Sequence, residues 1–124
     1  MLAYYTAQVQ KKQEEVRRLD ACQSSLQGKQ SEFQSNEPKC LEPELSARTW
    51  HGTLASAFQD IREVGIHAPF LEIAGAQFTN VFTAIAEKIA ALNAEIVILQ
   101  QNIARLEAEA KAQAEEAKAI CLLK

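Results

Sequence analysis

The C-terminal part of the chain carries a long apolar stripe, and this stripe most constrains the fold. Its members follow one another at alternating steps of four and three residues: Phe78, Phe82, Ile85, Ile89, Leu92, Ile96, Leu99, Ile103, Leu106 and Ala110. After the polar Gln113 the stripe resumes at Ala117 and Ile120, and no Pro or Gly interrupts it. Such spacing keeps one narrow face of an α-helix apolar. It predicts a long helix over residues 76–120, whose stripe must lie against another long helix of this chain or of a different chain.

A second stripe with the same spacing occupies the N-terminal part of the chain. Its members are Leu2, Tyr5, Val9, Lys12, Val16, Leu19, Gln23, Leu26, Gln30 and Phe33. It predicts a first long helix over about residues 1–35. Its three polar members weaken the seam between the helices but fix their register. We expect the two stripes to pack antiparallel, with residues 107–118 as an overhang. The predicted fold is all-α: an elongated, coiled-coil-like helical hairpin that forms a single domain over residues 1–124.

The connection between the two helices, residues 36–75, is expected to contain a short helix. Pro38 and Pro43 disfavour helix in the residues before them, and Pro43 is typical of a helix start. The short helix is predicted near residues 44–64, with Gly52 as an alternative start and Gly65 as its C-terminal cap. Residues 66–69 are expected to interrupt the helical structure, the break predicted here, and residues 70–74 are either a helical turn or a packed loop.

Composition excludes several classes of function. The formal net charge is −3 without a basic cluster, so neither nucleic acid nor an anionic membrane surface is an expected partner. We expect no membrane insertion, because no apolar run approaches the length of a membrane span. A cleavable signal peptide is also not expected, since residues 1–5 lack a basic region followed by an apolar one. The three cysteines, an odd number without metal-ligand spacing, predict reduced thiols.

No constellation of residues predicts catalysis, a cofactor or a metal. His51 and His67 are far apart in sequence and are interpreted as ordinary loop histidines. Cys40 and His51 could form a nucleophilic pair, but nothing supplies an oxyanion hole or a third orienting group. There is no Gly-rich phosphate loop. The sequence therefore favours a non-catalytic binding protein.

A Trp-x-Gly motif, Trp50-His51-Gly52, lies between the two predicted long helices and is followed by Phe58. Its Trp is the only one in the chain. An indole at such a junction can cap the end of a two-helix core or contact a partner, and a Gly lets the backbone turn. The sequence leaves these two roles of Trp50 equally open.

With this motif the chain resembles the WXG-type helical hairpins of bacterial type VII secretion. The N-terminal Met1-Leu2-Ala3-Tyr4-Tyr5, the stretch with Leu19, Cys22 and Leu26, and the stretch with Trp50, Gly52, Phe58 and Ile61-Arg62 resemble the YwqH-like family of Gram-positive bacteria. Proteins of that family are encoded beside toxins with an N-terminal LXG domain. The resemblance implies a targeting partner, or chaperone, that binds this helical domain for export, alone or with a second small helical partner.

The chain departs from the WXG-type pattern in its export signal. Tyr4 is followed four residues later by Gln8, and Tyr5 by Val9, so the Y-x-x-x-D/E signal is missing. The resemblance implies a cytoplasmic protein, and leaves open whether it is exported together with its partner through type VII secretion.

The last candidate site lies within the C-terminal stripe. Val97 and Ile98 stand between Ile96 and Leu99 and widen the stripe over one turn, one turn before Ile103. The widening indicates either contact with partner helices or a locally broad core, including one covered by residues 66–73. The candidate interface residues are thus Trp50, Gly52, Phe58, Ile96, Val97, Ile98, Leu99 and Ile103. The alternative function is a self-associating coiled-coil protein, a homodimer without a toxin partner.

Overall fold

The protein is all-α in the residues that the computed structural model describes, which are 1–42 and 52–123. Its α-helices are α1 (Leu2–Asn36), α2 (Thr53–Arg62), α3 (Ala68–Glu72) and α4 (Phe78–Leu123). A 3-10 helix, Glu37–Leu41, follows α1, and Pro38 lies in its first turn, where a missing N–H costs little. The predicted fold class and both long helices are confirmed. The predicted helix start at Pro43, and Trp50 and His51, lie outside the described residues.

The chain divides into two compact units, each of which pairs a part of α1 with a part of α4. Unit 1 comprises Met1–Asp20 and Ala86–Lys124, and unit 2 comprises Ala21–Ile85. In unit 1, Lys12 contacts Glu95, whereas the later Leu19 lies beside Lys88 and Leu92. Residues further along α1 therefore meet residues earlier on α4, so the predicted antiparallel pairing is confirmed within this unit.

Unit 2 shows the same antiparallel order. The Gln30 amide donates to the carbonyl of Ala74 over 2.9 Å, and the later Phe33 packs on Phe70 with ring centroids 5.6 Å apart. The earlier Leu26 lies in a groove together with Val81. Gln30 is one of the polar members of the N-terminal stripe, and its hydrogen bond to one particular carbonyl fixes the register of the pair.

The core is narrow, as expected for two paired stripes. The apolar side chains that are buried among the described residues are Val9, Ala55, Ala74, Ile85, Leu92 and Ile96. Most other members of the two stripes are half-buried. The stripes therefore form the seam by which α1 and α4 contact each other within each unit, and the surface outside this seam is left to solvent.

The predicted break at residues 66–69 and the predicted cap at Gly65 are wrong. The chain is helical without interruption from Thr53 to Leu123, because two π-helical turns, Glu63–His67 and Ile73–Gln77, connect the α-helical segments. The first π turn ends two residues before Pro69, and the N–H of Ala68 donates to the carbonyl of Glu63, five residues before it. A wider turn moves backbone carbonyls away from the proline ring, which would clash with one in a regular α-helix.

The start of α2 follows the alternative that the sequence offered. Gly52 is its N-cap, with φ 94° and ψ −167°, and the N–H of Ser56 donates to the Gly52 carbonyl over 3.1 Å. This backbone region is accessible essentially to glycine alone. The helix therefore begins at Thr53, and Gly52 turns the chain into it.

Candidate interaction surfaces

Four phenylalanines form a cluster in unit 2. Phe33 of α1 packs on Phe70 and on Phe78, in both cases with ring centroids 5.6 Å apart, and Phe78 lies 6.1 Å from Phe82. Tilted and edge-on aromatic pairs of this kind stabilise by about 0.5–1.5 kcal/mol each beyond the area they bury. The cluster holds the C-terminal end of α1 against α3 and the start of α4. Sequence periodicity placed Phe33, Phe78 and Phe82 in the two stripes, but it did not predict the contact with Phe70.

The four-residue spacing of Phe70, Ala74, Phe78 and Phe82 explains the second π turn. At 3.6 residues per turn such a row would wind around an α-helix and leave the α1-facing side. A π turn holds more residues per turn, because its hydrogen bonds join residues five apart. With the turn Ile73–Gln77 in place, Ala74 is buried and the three phenylalanines are half-buried. The π turn thus keeps the row facing α1.

A second row of residues runs beside this inner row, one position earlier in sequence. We call it the flank row: Ile61, Gly65, Pro69, Ile73, Gln77 and Val81. Ile73, Gln77 and Val81 line one open groove. A Cβ built on Gly65 would lie 3.9 Å from the Ile61 side chain. All six are exposed, and five are apolar or small. Unit 2 therefore presents a mostly apolar row outside its core.

An open groove of about 240 Å³ accompanies the C-terminal half of the flank row. Its lining consists of Leu26 and Phe33 from α1 and of Ile73, Gln77, Phe78 and Val81 from the opposite helix. Among the described residues that line it, only Gln77 has a polar side chain. A groove of this composition can take up large apolar side chains of another molecule, and it offers little to a charged ligand.

His67 links the first π turn to the 3-10 helix that follows α1. Its Nε2 lies 3.0 Å from Glu37 Oε1 in the 3-10 helix, and its Nδ1 lies 2.7 Å from Glu63 Oε1. The hydrogen bond to Glu37 and then that to Glu63 raise the pKa of His67, because both ring nitrogens donate in the protonated form. The predicted loop histidine therefore lies in a π turn and holds the residues after α1 against it.

Of the predicted site residues in unit 2, Gly52 is the N-cap of α2 and Phe58 lies on that helix. The Arg62 guanidinium is 5.5 Å from the centre of the Phe58 ring, and Arg62 also donates to the Gln59 side chain over 2.5 Å. Arg62 is 4% exposed, whereas Phe58 is 38% exposed. Arg62 thus anchors one face of Phe58 and leaves part of the ring at the surface.

The predicted site residues in unit 1 fall into two groups. Ile96 is buried and Leu99 and Ile103 are half-buried, so these three belong to the seam with α1. Val97 and Ile98 are 50% and 57% exposed, and in the described residues they do not form part of a broad core. Only these two remain accessible to another chain.

An ion pair lies at the solvent-facing edge of the seam of unit 1. Lys12 Nζ lies 2.7 Å from Glu95 Oε2, and the hydrogen bond raises the pKa of Lys12 and lowers that of Glu95. Lys12, a polar member of the N-terminal stripe, thus has a specific partner, as Gln30 does. Such partners select one register among the several that an apolar seam would tolerate.

The described residues contain no group of three or more His, Cys, Asp and Glu side chains that could hold a metal ion. Cys22, Cys40 and Cys121 are free thiols. In the same part of the chain, no helix is both long and apolar enough to cross a membrane. No protein-family model, curated protein or solved structure matches the chain.

Proposed function

We propose that this protein is a non-catalytic binding protein that covers its exposed apolar side chains with the helices of a partner. The observation that carries this proposal is the exposure of large apolar residues on both units, among them Ile61, Val64 and Ile98, at 66%, 72% and 57%. Scattered apolar residues are common on surfaces, but rows and adjacent pairs of them are typical of interaction sites.

The partner that the sequence favours is the helical LXG domain of a type VII secretion toxin. The basis is the resemblance of Trp50, Gly52 and Phe58, with their flanking helices, to the YwqH-like family. In this proposal the protein acts in the cytoplasm as a targeting partner or chaperone, and a second small helical protein can complete the bundle. Retention in the cytoplasm and export with the toxin are both compatible with it.

The mechanism is shared burial, and it uses the surface outside the intramolecular seam. Because Ile85, Leu92 and Ile96 are already buried within the chain, a partner helix has to contact residues such as Val97 and Ile98 instead. Each 100 Å² of apolar surface removed from water contributes about 2.5 kcal/mol before the costs of association. Two chains that each leave such faces exposed gain by covering one another.

The test is co-expression with the helical protein encoded beside this chain, followed by size-exclusion chromatography with light scattering. A stable heteromeric complex is the expected result. Recovery of this chain as a homodimer that ignores its neighbour would contradict the proposal and favour the self-associating alternative.

A pair of variants locates the contact on α4. Ile98→Glu should weaken the complex about tenfold or more, because it introduces a charge into an apolar contact. Ala104→Glu, also at an exposed position of α4, is the matched control and should bind as the wild type does. Both substitutions are at the surface, so the thermal unfolding of the free protein should change little. Equal losses of binding and of stability would speak against an interface role for Ile98.

A further inference from the structure

We propose that the groove and flank row of unit 2 bind a basic amphipathic helix, whose apolar side chains enter the groove while its Lys or Arg side chains face Asp60 and Glu72. This inference rests on the proposed function as a helix-binding protein, and it names the surface and the chemistry of the partner.

The geometry of the apolar surface suits a helix rather than a single small ligand. The flank row extends over 21 residues from Ile61 to Val81, which corresponds to about 30 Å along a helix. The groove of about 240 Å³ occupies only its C-terminal half, where Leu26 and Phe33 form the opposite wall. A partner helix lying in this groove would place residues at i, i+3/i+4 and i+7 along the row.

The charge of this surface is one-sided. In residues 52–85 the acidic side chains are Asp60, Glu63 and Glu72, and the only cationic groups are Arg62 and His67. Both cationic groups are turned inward: Arg62 is buried, and His67 is held between Glu37 and Glu63 with 11% of its side chain exposed. Asp60 and Glu72 directly precede Ile61 and Ile73 of the flank row. An apolar row with acidic neighbours therefore faces the solvent.

The opposite wall does not compensate this charge. Lys29 and Glu32 of α1 form an ion pair with a distance of 3.6 Å, so they contribute no net charge. In the sequence as a whole, residues 21–85 contain seven acidic and four basic residues, whereas the remainder contains nine of each. The net charge of −3 thus belongs entirely to the part of the chain that forms unit 2.

This charge selects the occupant. A second copy of the chain would bring its own Asp60 and Glu72 to an acidic surface, and like charges at an interface disfavour that pairing. A helix with an apolar stripe flanked by Lys or Arg matches both the apolar groove and the acidic side chains of Asp60 and Glu72. A partner of that chemistry is therefore preferred over self-association at this site.

The first experiment titrates the full-length protein into two fluorescein-labelled peptides and follows fluorescence anisotropy at low ionic strength. Both peptides are helical, about 20 residues long, and carry Leu at the same heptad positions; one has Lys at the flanking positions and the other has Glu. The Lys peptide should bind at least tenfold more tightly, and added salt should reduce the difference. The double variant Asp60→Lys/Glu72→Lys should invert the preference. Equal binding of the two peptides would overturn the proposal.

The second experiment tests the groove with two matched substitutions on α4. Val81→Ser changes a groove-lining residue that is 45% exposed, and Leu122→Ser makes a similar apolar-to-Ser change outside the groove at a residue that is 79% exposed. Val81→Ser should weaken binding of the Lys peptide about fivefold, and Leu122→Ser should leave it unchanged. Equal effects of both substitutions, or none, would overturn the assignment of the groove.

The outcomes separate this inference from the proposed function. A stable complex with the neighbouring helical protein, combined with no peptide preference, would refute the groove site and leave the proposed function standing. Selective peptide binding without any such complex would support the groove site and refute the proposed function. A homodimer that Val81→Ser dissociates and Leu122→Ser does not would assign the groove to a second copy, and would overturn the inference.

Discussion

Leu92 is the most deeply buried large side chain among the described residues, with 2% of its surface exposed. Because the seam is narrow, each buried side chain contributes a large share of its stability. Truncation of one leaves a cavity that neighbouring side chains cannot readily fill. We expect Leu92→Ala to lower the free energy of unfolding by about 2–4 kcal/mol. Urea denaturation followed by circular dichroism measures this change.

Leu122→Ala is the matched control for Leu92, since it removes the same atoms from a residue that is 79% exposed. It should change stability by less than about 0.5 kcal/mol. Similar effects of the two substitutions would mean that Leu122 is buried in solution against another molecule, or that Leu92 is not part of the core.

His67 makes stability depend on pH. Its pKa is raised in the folded protein by hydrogen bonds to Glu37 and Glu63, whereas in the unfolded chain it lies near about 6.5. The protonated form is favoured by folding, so its stabilising effect is fully present below the unfolded pKa and is lost as the pH rises through the folded pKa. The difference in unfolding free energy between the wild type and His67→Gln should therefore shrink as the pH rises above about 6.5.

Comparison with His67→Gln removes the contribution of other titrating groups to this pH dependence. A difference that stays constant, or grows, as the pH rises would contradict the assigned protonation state. Nuclear magnetic resonance titration of the His67 ring should likewise give a pKa above the ordinary value.

At the scale of the helices, two glycines lead to opposite expectations. Gly52 has φ 94°, where a side chain is strained, while Gly65 lies inside the helix without a positive φ and with space for a Cβ. Gly52→Ala should therefore destabilise the protein by about 1–3 kcal/mol. Gly65→Ala should leave stability unchanged or raise it by up to about 1 kcal/mol, as alanine is the better helix former. Thermal and urea unfolding of the two variants measure the contrast.

Gly65→Ala also tests the continuity of the helix. If Gly65 capped a short helix in a left-handed conformation, as its sequence context suggests, the alanine would cost about 1 kcal/mol instead. A loss of stability at residue 65 comparable to that at residue 52 would therefore contradict an uninterrupted helix from Thr53 to Leu123.

The long helices were predictable because their apolar spacing matches the α-helical repeat. The region between Thr53 and Phe78 was not, since Gly65 and Pro69 ordinarily end helices and a π turn alters the repeat that a sequence pattern assumes. A signal was nevertheless present in the four-residue spacing of Phe70, Ala74, Phe78 and Phe82. Three such steps rotate by about 120° around a regular α-helix, so a row that stays on one face indicates a widened turn.

The candidate surfaces could be predicted only in part for a similar reason. Val97 and Ile98 depart from the stripe, and their exposure follows from that departure alone. The groove, by contrast, depends on which residues of α1 face Ile73 and Val81, and this register is set by tertiary contacts such as the hydrogen bond from Gln30 to Ala74. The apolar spacing of each stripe does not show which residues of the two helices lie opposite each other.

Across the whole molecule, burial stops well before the end of α4. Leu106 is half-buried, whereas every residue from 107 to 123 is exposed, including Ile120 and Leu123. These residues correspond to the predicted overhang. A helix without tertiary contacts contributes little to stability, because its backbone order is offset only by intrinsic propensity. The cooperative part of the chain should therefore end near residue 106.

Truncation after Leu106 tests this division. Helical content measured by circular dichroism should fall by the equivalent of the removed residues, while the free energy of unfolding in urea should change by less than about 0.5 kcal/mol. The control is truncation after Glu95, which also removes the buried Ile96 and the half-buried Leu99 and should cost several kcal/mol. If removal of residues 107–124 instead lowered stability by an amount that increases with protein concentration, these residues would be packing against a second molecule. The exposed end of α4 would then be an interface in its own right, because only an intermolecular contact makes stability depend on concentration.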